Sequence, residues 1–256
     1  MMKKMKKLII GLVLALGAST TLWADKITVF AAADLRFALD EVKSEFLKQN
    51  PKDELEMIYG SSGKGLRQIE NGAPYDIYFS ANMEFVQKLY KQGDVTTKPK
   101  LYAIGRVVIW SKHNKFNPEL GFLNFTQDWV QKIAIANPAH APYGEKAKQA
   151  LESMKMYKSI ESKLVLGENI SQTAGFVASQ TADIGVIALS LALAPTIAQT
   201  DNDAYYLIDA KLHEPLMQGY GITKVGSIKP LSKTFFDFFQ TKDVNSIMKK
   251  YGFETK

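Results

Sequence analysis

Two successive runs of alternating strand and helix signals predict an α/β protein of two lobes, each on a mostly parallel sheet with helices over its faces. Three observations carry that expectation. Short apolar runs alternate with stretches of helical spacing from about residue 26 to 95, and the pattern resumes at 132. A longer apolar run, "LYAIGRVVIWSK" (Leu101 to Lys112), has no helix pattern after it and separates the two series. No tract has the composition of a flexible tether, so strands are expected to join the lobes.

The elements follow in order. "KITVFAAA" is a short apolar strand, and Leu35, Ala38, Leu39, Val42 and Phe46 then recur at helical spacing. "ELEMIYG" alternates as a strand, "GLRQIENG" is a short helix ended by Gly72, and "YDIYFSA" is a third strand. The next helix puts Phe85, Leu89 and Tyr90 on one face and is closed by Gly93. The second series comprises "KIAIANP", a helix from "YGEKAKQALESM", "KLVLGE", a helix from "SQTAGFVASQ", and "DIGVIALS". "AYYLID" and "PLMQGYGITKV" are late strands, and two helices around "KTFFDFFQ" and "VNSIMKKYGF" end the chain.

The N-terminus predicts export. Lys3, Lys4, Lys6 and Lys7 precede the apolar run "LIIGLVLALGA", and the small residue Ala24 follows, so residues 1–24 read as a cleavable signal peptide. An uncleaved anchor or a cut elsewhere is the alternative, because Leu22 is a poor fit to a cleavage site. Its removal takes away four lysines and no acids, lowering the formal net charge from +6 to +2. The basic balance thus belongs largely to the signal, and nucleic acid is not an expected partner. There is no cysteine, so an exported chain must rely on its core rather than on disulfides, and a lipoprotein is not expected.

In parallel α/β sheets ligands gather at the carboxyl ends of strands, where helix N-termini also point. Five such ends are legible: "AAAD" (31–34), "GSSG" (60–63), "NPAHAPYG" (137–144), "GENIS" (167–171) and "IALS" (187–190). They are rich in Ala, Gly, Ser, Asn and Pro and nearly devoid of cations, which suits a small oxyanion held by N–H and hydroxyl donors. "GSSGKG" is neither a Walker A loop, since Ile58 and Gly65 break that pattern, nor a nucleophile elbow, since Lys64 stands where the last glycine belongs. Ser61 and Ser62 suit helix caps as well as ligand donors, and Tyr143 suits a turn aromatic as well as a ligand-facing hydroxyl. Asp34 reads as the N-cap of the following helix, Ile170 as a core side chain offering only its N–H, and Lys64 as a solvated charge. The three histidines are too scattered for a zinc site. A dispersed catalytic triad stays open as the enzyme alternative, with "GSSG" as an oxyanion hole.

Taken together and in this order, "VFAAADL", "GSSGKGLRQIENGAPYDIYFSA", "YAIGRVVIWS", "IANPAHAPYG", "GENISQTAGFVASQTADIGVIALS" and the closing "YGF" resemble the periplasmic molybdate-binding proteins of ABC importers. The resemblance runs along nearly the whole exported chain. It implies a type II periplasmic-binding-protein fold: two α/β lobes with mixed sheets, joined by crossover strands at "LYAIGRVVIWS" and "PLMQGYGITKV". Lobe 1 would hold residues 25–104 plus 219–256, and lobe 2 residues 105–218. The implied protein is a periplasmic, monomeric carrier that captures molybdate, and also tungstate, without a cofactor or a protein–metal bond and hands it to a membrane permease. A carrier for another oxyanion or small organic acid is the alternative. Carried over by position, the anion contacts are Ala33, Asp34 and Ser62 from lobe 1, with Ser61 secondary, and Tyr143 and Ile170 from lobe 2. With Tyr143 before Gly144 and Ala188 in "GVIALS", the chain resembles the branch whose tyrosine comes from the "APYG" loop. Asp34 departs from the neutral Ser or Asn more usual there. An ionised carboxylate cannot donate a hydrogen bond, and it repels an anion by about 4 kcal/mol per unit charge at 4 Å with an effective dielectric near 20. Three resolutions are open: a carboxylate turned away to cap the Leu35 helix, which is the expected one; a protonated carboxyl; or a different ligand.

Overall fold

A computed structural model describes residues 25–195 and 205–255; the predicted signal at 1–24 lies outside the described residues. The chain runs β1 (Lys26–Ala32), α1 (Arg36–Gln49), β2 (Glu54–Gly60), α2 (Ser62–Glu70), β3 (Ile77–Ser80), α3 (Met83–Gln92) and β4 (Lys100–Gly105). It continues through β5 (Val107–Trp110), β6 (Ile133–Ala136), α4 (Pro142–Ser153), α5 (Tyr157–Ile160), β7 (Leu164–Gly167), α6 (Ile170–Ala178) and β8 (Ile184–Ala188). The last elements are α7 (Leu189–Ala192), β9 (Tyr205–Leu207), β10 (Leu216–Ile222), α8 (Pro230–Phe238) and α9 (Lys242–Lys250).

The strands form two mixed sheets, ordered β2-β1-β3-β10-β4 and β7-β6-β8-β5-β9. In the first, β1 runs parallel to β2 and β3 while β10 is antiparallel to β3 and β4. In the second, β6 is parallel to β7 and β8, and β5 is antiparallel to β8 and β9. β1 lies between two parallel partners with helices over it, so nearly every position is buried and the run reads apolar throughout. Gly72 and Gly93, with φ of 81° and 85°, stand just beyond α2 and α3, where a left-handed residue stops a helix without a Cβ penalty.

Each lobe has its own core. In the first, Phe79 stacks on Tyr220 with centroids 4.7 Å apart, among Tyr102, Phe235 and Phe239. The second buries Trp110, Phe125 and Ile135. The expected single strand from Leu101 to Lys112 is broken at Arg106, because the chain there leaves the β10 ladder for the β8 ladder. Arg106 braces the crossing: its guanidinium donates to Glu254 at 2.6 Å and to the Ile208 carbonyl at 3.3 Å. β10 pairs within the first sheet along its whole length, so the return between lobes is made just before it. The carboxyl ends of β1, β2, β6, β7 and β8 face one another across the cleft, each leading into a helix or a helical turn.

Candidate oxyanion site

The site is assembled from helix N-termini. Ser62 and Ile170 are the first residues of α2 and α6, and Tyr143 is the second of α4. First-turn N–H groups have no acceptor in their own helix, so three such ends converge with donors and partial positive charge. With them, Ala33, Asp34 and Ser61 line one small cavity, walled further by Ala32, Gly60, Ala81, Ala141 and Pro142. All six expected contact residues therefore meet in one place. Among the described residues, no Lys, Arg or His lines that cavity. The cavity is small, and the centre of a water-sized sphere can occupy about 10 Å³ of it.

The hydroxyl chemistry separates the two serines. Ser62 Oγ accepts the Ala81 N–H at 2.9 Å, which leaves its own proton free to donate. The Ala81 N–H comes from the end of β3, where Ser80 turns the chain by bonding Asn82 N and O. Ser61 instead gives its proton to the His140 carbonyl at 2.6 Å, and its side chain caps nothing in α2. His140 Nδ1 lies 2.9 Å from the same Oγ and Nε2 lies 3.6 Å from Glu168, a triad-like row. Ser61 is still not poised as a nucleophile, because the carbonyl, the nearer partner, holds its proton.

Asp34 corrects the sequence-based expectation. It sits in a 3-10 turn, Ala33–Leu35, and α1 begins at Arg36 with no side-chain cap. Its carboxylate is 1 % exposed. Oδ2 accepts from the Tyr143 hydroxyl and from Gln218 Nε2, both at 2.9 Å, and Gln218 Nε2 also donates to the Tyr143 oxygen at 2.9 Å. Oδ1 has no hydrogen-bond partner. Burial pushes the Asp34 carboxyl up to about 6, and donation from Gln218 and Tyr143 offsets part of that rise. Burial and then the Asp34 charge raise the Tyr143 hydroxyl well above its usual range. The side chain turns from the helix because two neutral donors from α4 and β10 reach it between the lobes.

Polar contacts hold the lobes closed around this cluster. Gly63 N–H donates to the His140 carbonyl at 3.0 Å. Ser171 Oγ donates to the Ala33 carbonyl at 2.7 Å and Ser190 Oγ to the Asp34 carbonyl at 2.9 Å. Lys64, expected to be a solvated charge, forms an ion pair with Glu168 across the cleft mouth and lowers the glutamate's pKa. Burial lowers the His140 imidazole from its usual value. Sequence reasoning missed Gln218, His140, Ser171 and Ser190 as site residues. The last three sit in loops already singled out, whereas Gln218 was hidden in a strand.

Two α/β lobes closed over a small donor-lined, cation-free cavity define a solute-binding protein of the two-lobed type. The sequence profile of the bacterial extracellular solute-binding protein family matches residues 27–254, and the chain belongs to that family. It is similar to the molybdate-binding protein ModA of Rhodobacter capsulatus, 27% identical over 247 residues that cover 96% of this chain and 95% of that one. The ModA of Azotobacter vinelandii is 28% identical over 246 residues, covering 94% and 96%. The solved periplasmic molybdate-binding protein of Azotobacter vinelandii superposes with a TM-score of 0.82 at 28% identity, covering 90% of this chain and 99% of that chain.

Proposed function

We propose that this protein is an extracytoplasmic receptor that captures molybdate, and tungstate of nearly the same shape and charge, and delivers it to the permease of an ABC importer. The observation that carries the reading is the convergence of the N-termini of α2, α4 and α6 on one small cavity without cationic side chains. The names of the relatives supply the anion. Ala33, Asp34, Ser62, Tyr143 and Ile170 would be the contacts, with Ser61 committed to closure. Lobe 1 would comprise residues 25–105 plus 216–256 and lobe 2 residues 106–215. The bounds expected from the sequence move by up to three residues because β10 pairs wholly with the first sheet. The chain would be exported by a signal at 1–24 and work as a monomer.

No covalent chemistry is involved, and no cofactor. The anion loses its water to fixed neutral donors, and the hydroxyl of Ser62, oriented by Ala81, is ready before the ligand arrives. Contacts from both lobes to one anion make the closed form the one that binds, and its closed outline is what a permease would recognise. Calorimetry with molybdate, tungstate, sulfate and phosphate tests the reading. Tight one-to-one binding of molybdate and tungstate with weak binding of sulfate is expected; preference for sulfate or phosphate, or no anion binding, refutes it.

A further inference from the structure

Among the described residues, Asp34 is the one carboxylate lining a cavity that otherwise offers only neutral donors. An ionised Asp34 engages the donors around it. Tyr143 has a single proton and gives it to Oδ2, while Gln218 Nε2 spends its two on Oδ2 and on the Tyr143 oxygen. In that state the tyrosine hydroxyl has nothing left for a ligand. Oδ1, buried and without a partner, is the open position for a proton. A proton there turns the carboxylate into a donor and removes the charge that would oppose a dianion.

We infer that Asp34 is the specificity-determining residue of the site, binding the oxyanion as a neutral carboxylic acid so that one proton enters with each dianion. This rests on the oxyanion-receptor reading above. The balance is simple: folded protein with ionised Asp34, one dianion and one proton from the solvent give a complex in which Oδ1–H donates to an anion oxygen. No bond to the anion's central atom forms or breaks.

The surroundings agree. Titratable neighbours are Tyr143 from α4 and Tyr102 from β4, and both feel the Asp34 charge as a force holding their protons on. α6 and α7, which hold the turn through Ser171 and Ser190, carry no ionisable residue. Arg36 of α1 lies over the Tyr59 ring, and Tyr59 of β2 bonds Asp40. Lys146 of α4 is paired with Glu145 and Glu214. Tyr220 of β10 donates to the Phe236 carbonyl. Among the described residues no cation bonds or pairs with Asp34, and its raised pKa is the same preference for the neutral form.

The test is calorimetry of molybdate binding in two buffers of different ionisation enthalpy, at pH values from 6.5 to 8.5, where molybdate stays a dianion. The wild type should take up about one proton per anion, and its affinity should fall about tenfold per pH unit. Asp34→Asn, which keeps shape and donors, should take up about none and show a flat profile. Wild-type binding with no proton uptake and no pH slope overturns the inference while leaving the receptor reading intact. Because the wild-type proton count decides alone, a poorly folding variant does not block the test. Tight binding of hydrogenphosphate without uptake also overturns it, since that anion brings its own proton to an ionised carboxylate. No molybdate binding at all removes both readings.

Discussion

Gly63 brings backbone of one lobe against backbone of the other, and replacing it with alanine should hold the cleft open. Its N–H donates to the His140 carbonyl at 3.0 Å, and a Cβ there would stand 2.5 Å from that oxygen and 3.1 Å from His140 Cα. Both are backbone atoms and cannot rotate aside. Ordinary carbon contacts lie near 3.5 Å, so the lobes must part by about 1 Å at this point. That separation breaks the Gly63 bond and the Ser61–His140 bond, each contributing about 1 kcal/mol net, so closure loses about 2 kcal/mol or about thirtyfold in affinity. The first lobe itself should gain, since alanine exceeds glycine as a helix former by up to about 1 kcal/mol. The assay is molybdate calorimetry together with solution scattering and a melting curve. Affinity reduced about thirtyfold, an opened scattering profile and an unchanged or raised melting point are expected. Affinity within threefold of wild type, in a folded variant, would refute the idea that this contact is needed for capture.

Three further outcomes follow from the same geometry. Ser62→Ala removes the one hydroxyl, among the described residues lining the cavity, whose proton is free to donate, so molybdate binding should weaken about tenfold or more while the melting point moves little. Gly144→Ala should destabilise the second lobe severely, because its Cβ would lie 2.0 Å from the Ala136 carbonyl oxygen; a soluble variant with wild-type urea stability contradicts this packing. Asp34 has a folded-state pKa of about 6 against an ordinary 3.8, so its stabilising effect is complete below the ordinary value and is lost as pH rises through 6. In the ligand-free protein, Asp34→Asn should therefore gain on wild type by up to about 3 kcal/mol between pH 4 and pH 8, read from urea midpoints; a gap independent of pH counts against it.

Local chemistry made much of this protein readable in one dimension. Strand and helix periods depend on neighbours two to four residues apart, so β1, α1 and α3 stand where the apolar spacing put them, and Gly72 and Gly93 stop helices because their φ is positive. The poverty of cations in the strand-end loops was equally local, and it pointed to an anion held by neutral donors before any geometry was known. The broken strand at Arg106 was not legible, since both halves carry the same apolar pattern and only the change of partner strand divides them. The fate of side chains facing the cleft was not legible either. Asp34 looked like a cap because its helix was adjacent, yet the donors that took it are 109 and 184 residues away. Gln218 sits in a strand whose pattern says nothing of the opposite lobe, and Lys64 finds Glu168 only when the lobes meet. A residue's choice among hydrogen-bond partners is settled by whichever donor reaches it once water is excluded, and exclusion of water is a property of the closed tertiary structure.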